Sequence, residues 1–244
     1  MNHKLMDIKG IIFDYGGTLD TDGKHWANVL WESYQNSNIP IQVNEFRNAY
    51  VYGERTLALT PIILPDDNFR DVLRKKVSLQ FEFLAQNGIW QPVNTESHML
   101  QEAVVDFAYS YALKHIQKSQ KILQHLSEHY PLVLVSNFYG NINAILNDFQ
   151  MATYFQSIIE SAVVGVRKPD PMIFKLGVNQ LQLPAKEIVV IGDSYSKDIV
   201  PAKSLGCHTI WLCGEGWDEK DSAGGDAADH QIHCIEDLYK FFNI

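Results

Sequence analysis

The sequence predicts an α/β protein in which a mainly parallel sheet carries a helical insertion, and three observations support this class. Short apolar runs rich in β-branched residues recur along the chain, as in strands that are buried on both faces. From about residue 118 onward, amphipathic segments separate these runs, which is typical of an open parallel sheet. Residues 24–112 contain no such run, which predicts an all-helical insertion.

The predicted strands are short aliphatic runs, and the first of them ends on an aspartate. Each run is bounded by polar residues or glycine, and the third run is the weakest because it is the shortest. The runs are 8–13, 132–135, 158–159, 188–191 and 207–212.

The predicted helices fall into two groups that divide the chain. After residue 112 they alternate with strands, in segments 141–149, 171–181, 197–205 and the closing segment 235–242. Before it, aromatic-rich helices follow one another with no strand between them, in segments 25–38, 43–58, 67–87 and 94–115. We therefore predict a core domain of residues 1–23 and 113–244 and a helical domain of residues 24–112.

Composition limits the partners that we expect. The chain has 244 residues, a formal net charge of −9 and no run rich in Lys or Arg, which argues against nucleic acid and membrane surfaces as partners. The three cysteines have no metal-ligand spacing and the first residues lack the apolar stretch of a signal peptide, so we expect a cytoplasmic location. Without a coiled-coil seam, a monomer or weak homodimer is expected.

Chemically reactive side chains stand where predicted strands end or helices begin. Because the carboxyl ends of parallel strands meet at one edge of a sheet, we expect these side chains to share a site. The four segments are Asp14 with Gly16, Gly17 and Thr18; Ser136 with Asn137; Lys168 with Pro169; and Asp193 with Asp198.

The residue types in these segments suit a phosphoryl group and a hard cation. Aspartate carboxylates offer the oxygen ligands that Mg²⁺ prefers. The lysine and such a cation would together neutralise a phosphoryl group, whose oxygens could be held by the serine hydroxyl and by the backbone N–H groups of Gly17 and Thr18.

The four segments resemble, in order, the four motifs of the haloacid dehalogenase (HAD) superfamily. The matching residues are 13–19, 133–137, 166–171 and 191–198, and the gap of about a hundred residues after the first is the size of a type C1 helical cap. The resemblance implies a Rossmann-like parallel core with an inserted all-helical cap. It also implies a Mg²⁺-dependent phosphatase that acts on a small phosphorylated metabolite.

The resemblance further implies a role for each residue of the set. Asp14 is similar to the family's nucleophile, which attacks phosphorus to form an aspartyl-phosphate. Catalytic phosphoryl binding would fall to Ser136 and Lys168, with Asn137, Gly17 and Thr18 as further phosphate-binding residues. The metal would be held by Asp14, the backbone carbonyl of Gly16 and Asp193, with Asp198 in a supporting position.

Gly16 departs from the family's pattern, in which phosphatases carry an aspartate two residues after the nucleophile. That aspartate protonates the leaving group and then activates water, and such help is typically worth about 10²–10⁴-fold in rate. Asp20, Asp22 and His25 follow closely and are candidate substitutes. Alternatively, a leaving group of low pKa, as in sugar 1-phosphates or acyl phosphates, needs no acid.

Two other interpretations stay open. The chain could be a catalytically inactive or weak binding protein of the same superfamily. It could also hydrolyse a C–P or C–halogen bond, although the family's dehalogenases carry Tyr at the position of Gly16, and phosphonoacetaldehyde hydrolases need a cap lysine to form an imine. Segment 51–55 offers Arg55 and no lysine, and we expect Lys24, Lys75 and Lys76 to be solvated.

Overall fold

A single six-stranded parallel sheet forms the centre of the part of the chain that the computed structural model describes, residues 7–216 and 225–242. The strands are β1 (Gly10–Phe13), β2 (Leu132–Ser136), β3 (Ser157–Glu160), β4 (Ile188–Gly192), β5 (His208–Leu212) and β6 (His230–Ile232). Their order across the sheet is β3-β2-β1-β4-β5-β6, and every neighbouring pair is parallel. The predicted α/β class is confirmed. Residues 1–6, 217–224 and 243–244 of the predicted core domain lie outside the described residues.

Four helices lie between β1 and β2, as the insertion predicts. They are α1 (Trp26–Asn36), α2 (Val43–Leu59), α3 (Phe69–Gln86) and α4 (Asn94–Ser127). Helix α4 continues well past residue 115, its predicted end, because its buried face continues through Ile116, Leu123 and Leu126. One continuous helix therefore crosses the predicted boundary at residue 112, and the division into two domains stays a prediction.

The remaining helices follow the predicted alternation with small differences. They are α5 (Ile142–Asp148), α6 (Ser161–Val164), α7 (Met172–Leu181) and α8 (Val200–Ser204). The predicted helix 197–205 begins with a π-helical turn, Tyr195–Ile199, and the closing segment 235–242 is a 3₁₀ helix, Ile235–Lys240. Strand β6 was not predicted, since its three residues, His-Gln-Ile, contain no apolar run.

Strand register brings the reactive segments to one edge. β1 lies between β2 and β4, and its last residue, Phe13, pairs with Leu134 and Ile191. The Asp14 N–H donates to the Ile191 carbonyl at 3.0 Å, so Asp14 directly continues the ladder. Because the neighbouring strands end within two residues of these partners, all three chain segments leave the sheet at the same level.

Both faces of the sheet are covered, which explains why its central strands β2, β1 and β4 are almost entirely apolar. Every residue of β1 is buried. Ile11 and Phe13 belong to a large apolar cluster that also contains the buried residues of α1–α4. Ile12 points to the other face and belongs to a second cluster with Ile173 and Phe174 of α7. Among the described residues, no helix is both long and apolar enough to cross a membrane.

Candidate active site

A buried lysine joins two of the predicted site aspartates. Nζ of Lys168 lies 2.5 Å from Oδ1 of Asp14 and 2.7 Å from Oδ1 of Asp198. Lys168 precedes α7 and is only 4% exposed. Burial by itself lowers the pKa of Lys168, but the charges of Asp14 and Asp198 more than compensate and raise it above its ordinary value. The side chain is therefore an ammonium that holds two carboxylates together.

Asn137, the residue after β2, fixes the backbone of this lysine. Its Oδ1 accepts from the Lys168 N–H at 2.9 Å, and its Nδ2 donates to the Lys168 carbonyl at 3.1 Å. The resemblance implied a phosphate contact for Asn137, whereas the structure shows that both ends of its amide bind the lysine backbone. This positioning contact joins the second and third motifs.

Thr18 connects the first motif with the fourth. Its hydroxyl lies 3.0 Å from Oδ2 of Asp14 and 3.3 Å from Oδ1 of Asp193, and it accepts from the Asp193 N–H at 3.0 Å. Gly17 lies directly against the same carboxylate, with a φ of +95°, and a Cβ there would stand 2.3 Å from Oδ2 of Asp193. Glycine is needed at position 17 for both reasons.

The three aspartates form a set of donors that suits a cation. Asp14, Asp193 and Asp198 each offer one carboxylate oxygen, and these oxygens lie within 4.8 Å of one another. Burial and the neighbouring carboxylates raise the pKa of Asp193 well above its ordinary value. Burial likewise raises the pKa of Asp198, to about 6. Three carboxylates face one ammonium, so the cluster lacks positive charge, and its oxygen-only donors fit a hard divalent ion.

Ser136, the last residue of β2, carries a hydroxyl with nothing to bind. The residue is buried, and its Oγ has no hydrogen-bond partner among the described residues. A buried hydroxyl without a partner costs free energy, because it has given up its bonds to water. Such a group lining a cavity beside Asp14 and Lys168 suits a ligand with oxygen atoms.

Gly16 is not a glycine that the backbone requires. Its φ lies outside the left-handed region, and a Cβ added there would meet nothing within 4 Å. Gly16 lines the same cavity as Asp14. Space for a side chain therefore exists at this position, in contrast to Gly17.

Two of the three candidate acid/base residues line the cavity. Asp20 is buried and accepts from the Gly17 N–H at 2.7 Å and from Nε1 of Trp26 at 2.8 Å. Burial raises the pKa of Asp20 to about 7. His25 caps the start of α1, and its Nδ1 accepts from the Ala27 N–H at 3.1 Å, which directs Nε2 away from the helix end.

The structure does not bring Asp22, the third candidate, to the cavity, contrary to the prediction. Its Oδ1 accepts from the Ile235 N–H at 2.6 Å, and its Oδ2 lies 3.5 Å from Nδ1 of His115. Asp22 is not among the residues that line the cavity around Asp14. Its backbone φ of 56° lies in the left-handed region, and the chain turns its carboxylate towards α4 and the closing 3₁₀ helix.

The helical insertion forms the opposite wall of the cavity, and here the sequence analysis missed a residue. The cavity has a volume of about 970 Å³ and lies between the aspartate cluster and helices α2 and α3. Lys76 of α3 lines it and is 7% exposed, so the expectation of a solvated lysine was wrong. Its position was a signal, since it stands four residues after Val72 and three after Leu73, on the apolar face of the predicted helix.

Comparison with known proteins identifies the family. The family model for haloacid dehalogenase-like hydrolases matches residues 8–206. A glyceraldehyde 3-phosphate phosphatase of Methanocaldococcus jannaschii is 34% identical over 85 residues, or 35% of this chain and 36% of that protein. The 5-amino-6-(5-phospho-D-ribitylamino)uracil phosphatase YigB of Escherichia coli is 28% identical over 102 residues, 42% of this chain and 41% of that one. The matches thus span well under half the length of these relatives.

Solved structures share the fold over nearly the whole chain. The HAD-hydrolase YfnB of Bacillus subtilis, in a crystal form with bound magnesium, superposes with a TM-score of 0.61 at 18% identity, covering 97% of this chain and 99% of that one. A 2-haloacid dehalogenase of Pseudomonas syringae gives 0.51 at 22% identity, covering 95% and 96%. At these identities the likeness concerns the fold alone. With the match of the family model and the four converging motifs, it leads to one conclusion: the chain belongs to the haloacid dehalogenase-like hydrolase family.

Proposed function

We propose that this hydrolase is a Mg²⁺-dependent phosphatase that acts on a small phosphorylated metabolite through an aspartyl-phosphate on Asp14. The observation that carries the proposal is the Asp14–Lys168 contact beside the partnerless hydroxyl of Ser136. This arrangement offers a nucleophile, a cation and a hydrogen-bond donor within one cavity. The phosphatase names of the two relatives support the same reaction class.

The chain's own residues can carry out the two displacements. In the first, a carboxylate oxygen of Asp14 forms a bond to phosphorus, and the bond between phosphorus and the leaving oxygen breaks. Lys168 contacts Asp14 and would balance charge on the phosphoryl oxygens, which the Ser136 hydroxyl would bind. The N–H groups of Gly17 and Thr18, predicted for the same role, donate instead to Oδ1 of Asp20 and to the Tyr15 carbonyl. In the second, a water oxygen displaces Asp14 from phosphorus, which releases inorganic phosphate and restores the carboxylate.

A divalent ion fits the carboxylate cluster. Asp14 and Asp193, with the Gly16 carbonyl and with Asp198 in support, would hold Mg²⁺, which prefers oxygen ligands. When bound, Mg²⁺ supplies the positive charge that three carboxylates and a phosphoryl group require beyond that of Lys168.

Because Gly16 carries no acid side chain, a proton for the leaving group would have to come from another residue. Of the two candidates that line the cavity, Asp20 already uses both oxygens as acceptors, and these contacts hold the glycine turn and Trp26 in place. We propose His25, which also lines the cavity, as the proton donor to test: its Nδ1 accepts from the Ala27 N–H, so a neutral ring carries its proton on Nε2. Substrates with a leaving group of low pKa would depend little on either residue.

The insertion would act as a C1-type cap over this site. Support comes from helices α2 and α3, which line the cavity opposite Asp14. Closure of such a cap excludes water and selects the substrate.

The C–P alternative is disfavoured by the state of the one lysine that reaches the cavity from the insertion. Burial alone lowers the pKa of Lys76, but Glu54, whose Oε1 lies 2.6 Å from Nζ, raises it above its ordinary value. A protonated amine has no lone pair with which to form an imine.

One experiment separates a phosphatase from a binding protein. We expect the purified protein to hydrolyse p-nitrophenyl phosphate, whose leaving group needs no acid, with Mg²⁺ and not with EDTA. Activity should vanish in Asp14→Asn and persist in Asp66→Asn, a substitution at an exposed carboxylate. If Mg²⁺ binds but neither this ester nor a panel of sugar, acyl and nucleotide phosphates is hydrolysed, the proposal is wrong and the chain is a binding protein.

A further inference from the structure

A second polar cluster, built around the buried Lys76, lies on the cap side of the cavity. It consists of Glu54 of α2, Lys76 of α3 and Tyr139, which follows β2. Nζ of Lys76 lies 2.6 Å from Oε1 of Glu54, and the Tyr139 hydroxyl donates to Oε2 at 2.9 Å. Nζ of Lys76 also lies 5.8 Å from the centroid of the Tyr139 ring. We call these three residues the cap-side cluster.

The cap-side cluster belongs to the same cavity as the aspartates. All three of its residues line the wall of that cavity. Tyr139 stands three positions after Ser136, so the loop that follows the phosphate-binding serine reaches the cluster directly. A phosphoryl group held at Asp14 would therefore place its leaving group in a cavity that the cluster also lines.

The charges of the cap-side cluster are balanced, which restricts the chemistry it can recognise. One ammonium faces one carboxylate, so the three residues of the cluster carry no net charge of their own. The ammonium has three N–H donors and contacts one carboxylate oxygen, and the tyrosine oxygen can accept as well as donate. Hydroxyl groups, which both donate and accept, fit this set, whereas an alkyl chain would leave buried polar atoms without partners.

We propose that Glu54, Lys76 and Tyr139 bind the leaving group of the substrate and select one that carries hydroxyl groups. This inference rests on the proposed phosphatase function and specifies its substrate class. The competing explanation is an ion pair that only fastens α2 to α3. That role would change stability and would not change the ratio of affinities for hydroxylated and plain ligands.

The test compares glycerol 3-phosphate with n-propyl phosphate, which has the same three-carbon chain without hydroxyls. Each is used as a competitive inhibitor of p-nitrophenyl phosphate hydrolysis with Mg²⁺ present. We expect glycerol 3-phosphate to bind about tenfold more tightly in the wild type, since each of its two hydroxyls gains a hydrogen bond. The ratio should fall towards one in Lys76→Met and in Tyr139→Phe.

Matched controls separate recognition from folding. Lys75→Met removes the neighbouring lysine, which pairs with Asp67 and does not line the cavity, and Tyr52→Phe removes a hydroxyl from a tyrosine outside it. Both should keep the wild-type ratio. Because loss of one cluster charge affects both inhibitors equally, the ratio stays diagnostic even where absolute affinities change.

The outcomes keep this inference distinct from the proposed function. A wild-type affinity ratio near one, or a ratio unchanged in both cluster variants, overturns the inference. Hydrolysis of p-nitrophenyl phosphate would still support the phosphatase proposal in that case. If the wild type hydrolyses nothing, the phosphatase proposal fails, and calorimetric titration of the same two ligands gives the affinity ratio directly. A tenfold ratio there, lost in Tyr139→Phe, supports the cluster as a recognition site.

Discussion

Two buried lysines face each other across the cavity, and they differ in how their charge is balanced. On the core side, Lys168 contacts Asp14 and Asp198, with Asp193 close to both, so one cation serves three carboxylates. On the cap side, the carboxylate that pairs with Lys76 among the described residues is that of Glu54. Both lysines are almost fully buried, and the charges of their partners raise the pKa of each above its ordinary value although burial lowers it.

The difference in charge balance separates two kinds of recognition. The core wall, which consists of Lys168 and the three aspartates, has excess negative charge and oxygen donors. These suit a divalent ion and, with it, a phosphoryl group. The cap wall, by which we mean the cap-side cluster, is neutral and polar, which suits a group that hydrogen-bonds without carrying charge. Substitutions that alter either balance test this comparison, and their expected effects decrease in the following order.

Removal of the nucleophile from the core wall should have the largest effect. Asp14→Asn keeps the shape of the side chain but cannot form the aspartyl-phosphate, so we expect kcat to fall by at least about 10³-fold. The measurement is steady-state hydrolysis of p-nitrophenyl phosphate, with melting temperature as a check of folding. Activity within tenfold of the wild type would show that another group attacks phosphorus.

Filling the vacancy at Gly16 should increase the rate for poor leaving groups. The site offers space and an ordinary φ, so Gly16→Asp is expected to fold normally. We expect a gain of about tenfold or more in kcat for an alkyl phosphate, the lower end of general acid catalysis, and little gain for p-nitrophenyl phosphate. Gly16→Asn is the matched control that fills the space without an acid. Equal gains in both variants would contradict a role in proton transfer.

Unbalancing the cap wall should change which leaving group is preferred. Glu54→Gln leaves Lys76 without a counter-charge beside the cavity, so a leaving group with its own carboxylate should become favoured. We expect the ratio of kcat/KM for 2-phosphoglycolate to that for glycerol 3-phosphate to rise about tenfold, as for one hydrogen bond to a charged group. Glu45→Gln, in the first turn of α2 and outside the cavity, should leave the ratio unchanged. An unaltered ratio in Glu54→Gln would mean that Lys76 does not contact the leaving group.

Asp20 should influence stability more than catalysis. Asp20→Asn presents an N–H group to one of two donors, the Gly17 N–H or Trp26 Nε1, and should lower the free energy of unfolding by about 1–3 kcal/mol. The folded pKa of about 7 lies above the ordinary value of 3.8, so the wild type loses stability from Asp20 as pH rises between these values.

The pH dependence of this variant provides a separate check. Between pH 5 and 7, the difference in free energy of unfolding should move in favour of Asp20→Asn, by up to about 1.4 kcal/mol per pH unit. Urea denaturation at several pH values measures it, and other titrating groups cancel because both proteins share them. A difference that stays constant with pH would contradict the raised pKa.

Local patterns were sufficient to predict the strands around the site and the residues that their ends carry. The aliphatic runs before Asp14, Ser136 and Asp193 identify buried parallel strands, whose carboxyl ends must meet. Strand β6 was missed because three mostly polar residues at the sheet edge carry no periodic pattern. The end of α4 was misjudged because the same apolar stripe serves both the insertion and the core.

Some residues of the site were predicted and others were not, because a sequence pattern does not always show which way a side chain points. Lys168 was found through its motif, but Lys76 was dismissed because a lysine within a helix is usually solvated. Asp22 was proposed because it is near Asp14 in sequence, yet a left-handed backbone conformation turns it towards Ile235. Closeness in sequence does not decide the direction of a side chain.

The sequence alone determined the fold class, the family resemblance and the core wall of the site, because all three depend on short segments whose strands must align. Tertiary structure alone decided the cap wall. Glu54 and Lys76 lie on two helices, and only the packing of α2 against α3 above the sheet brings them together with Tyr139. It also revealed that a side chain would have open space at Gly16 but would collide with Asp193 at Gly17. This is a difference between two adjacent, chemically identical residues.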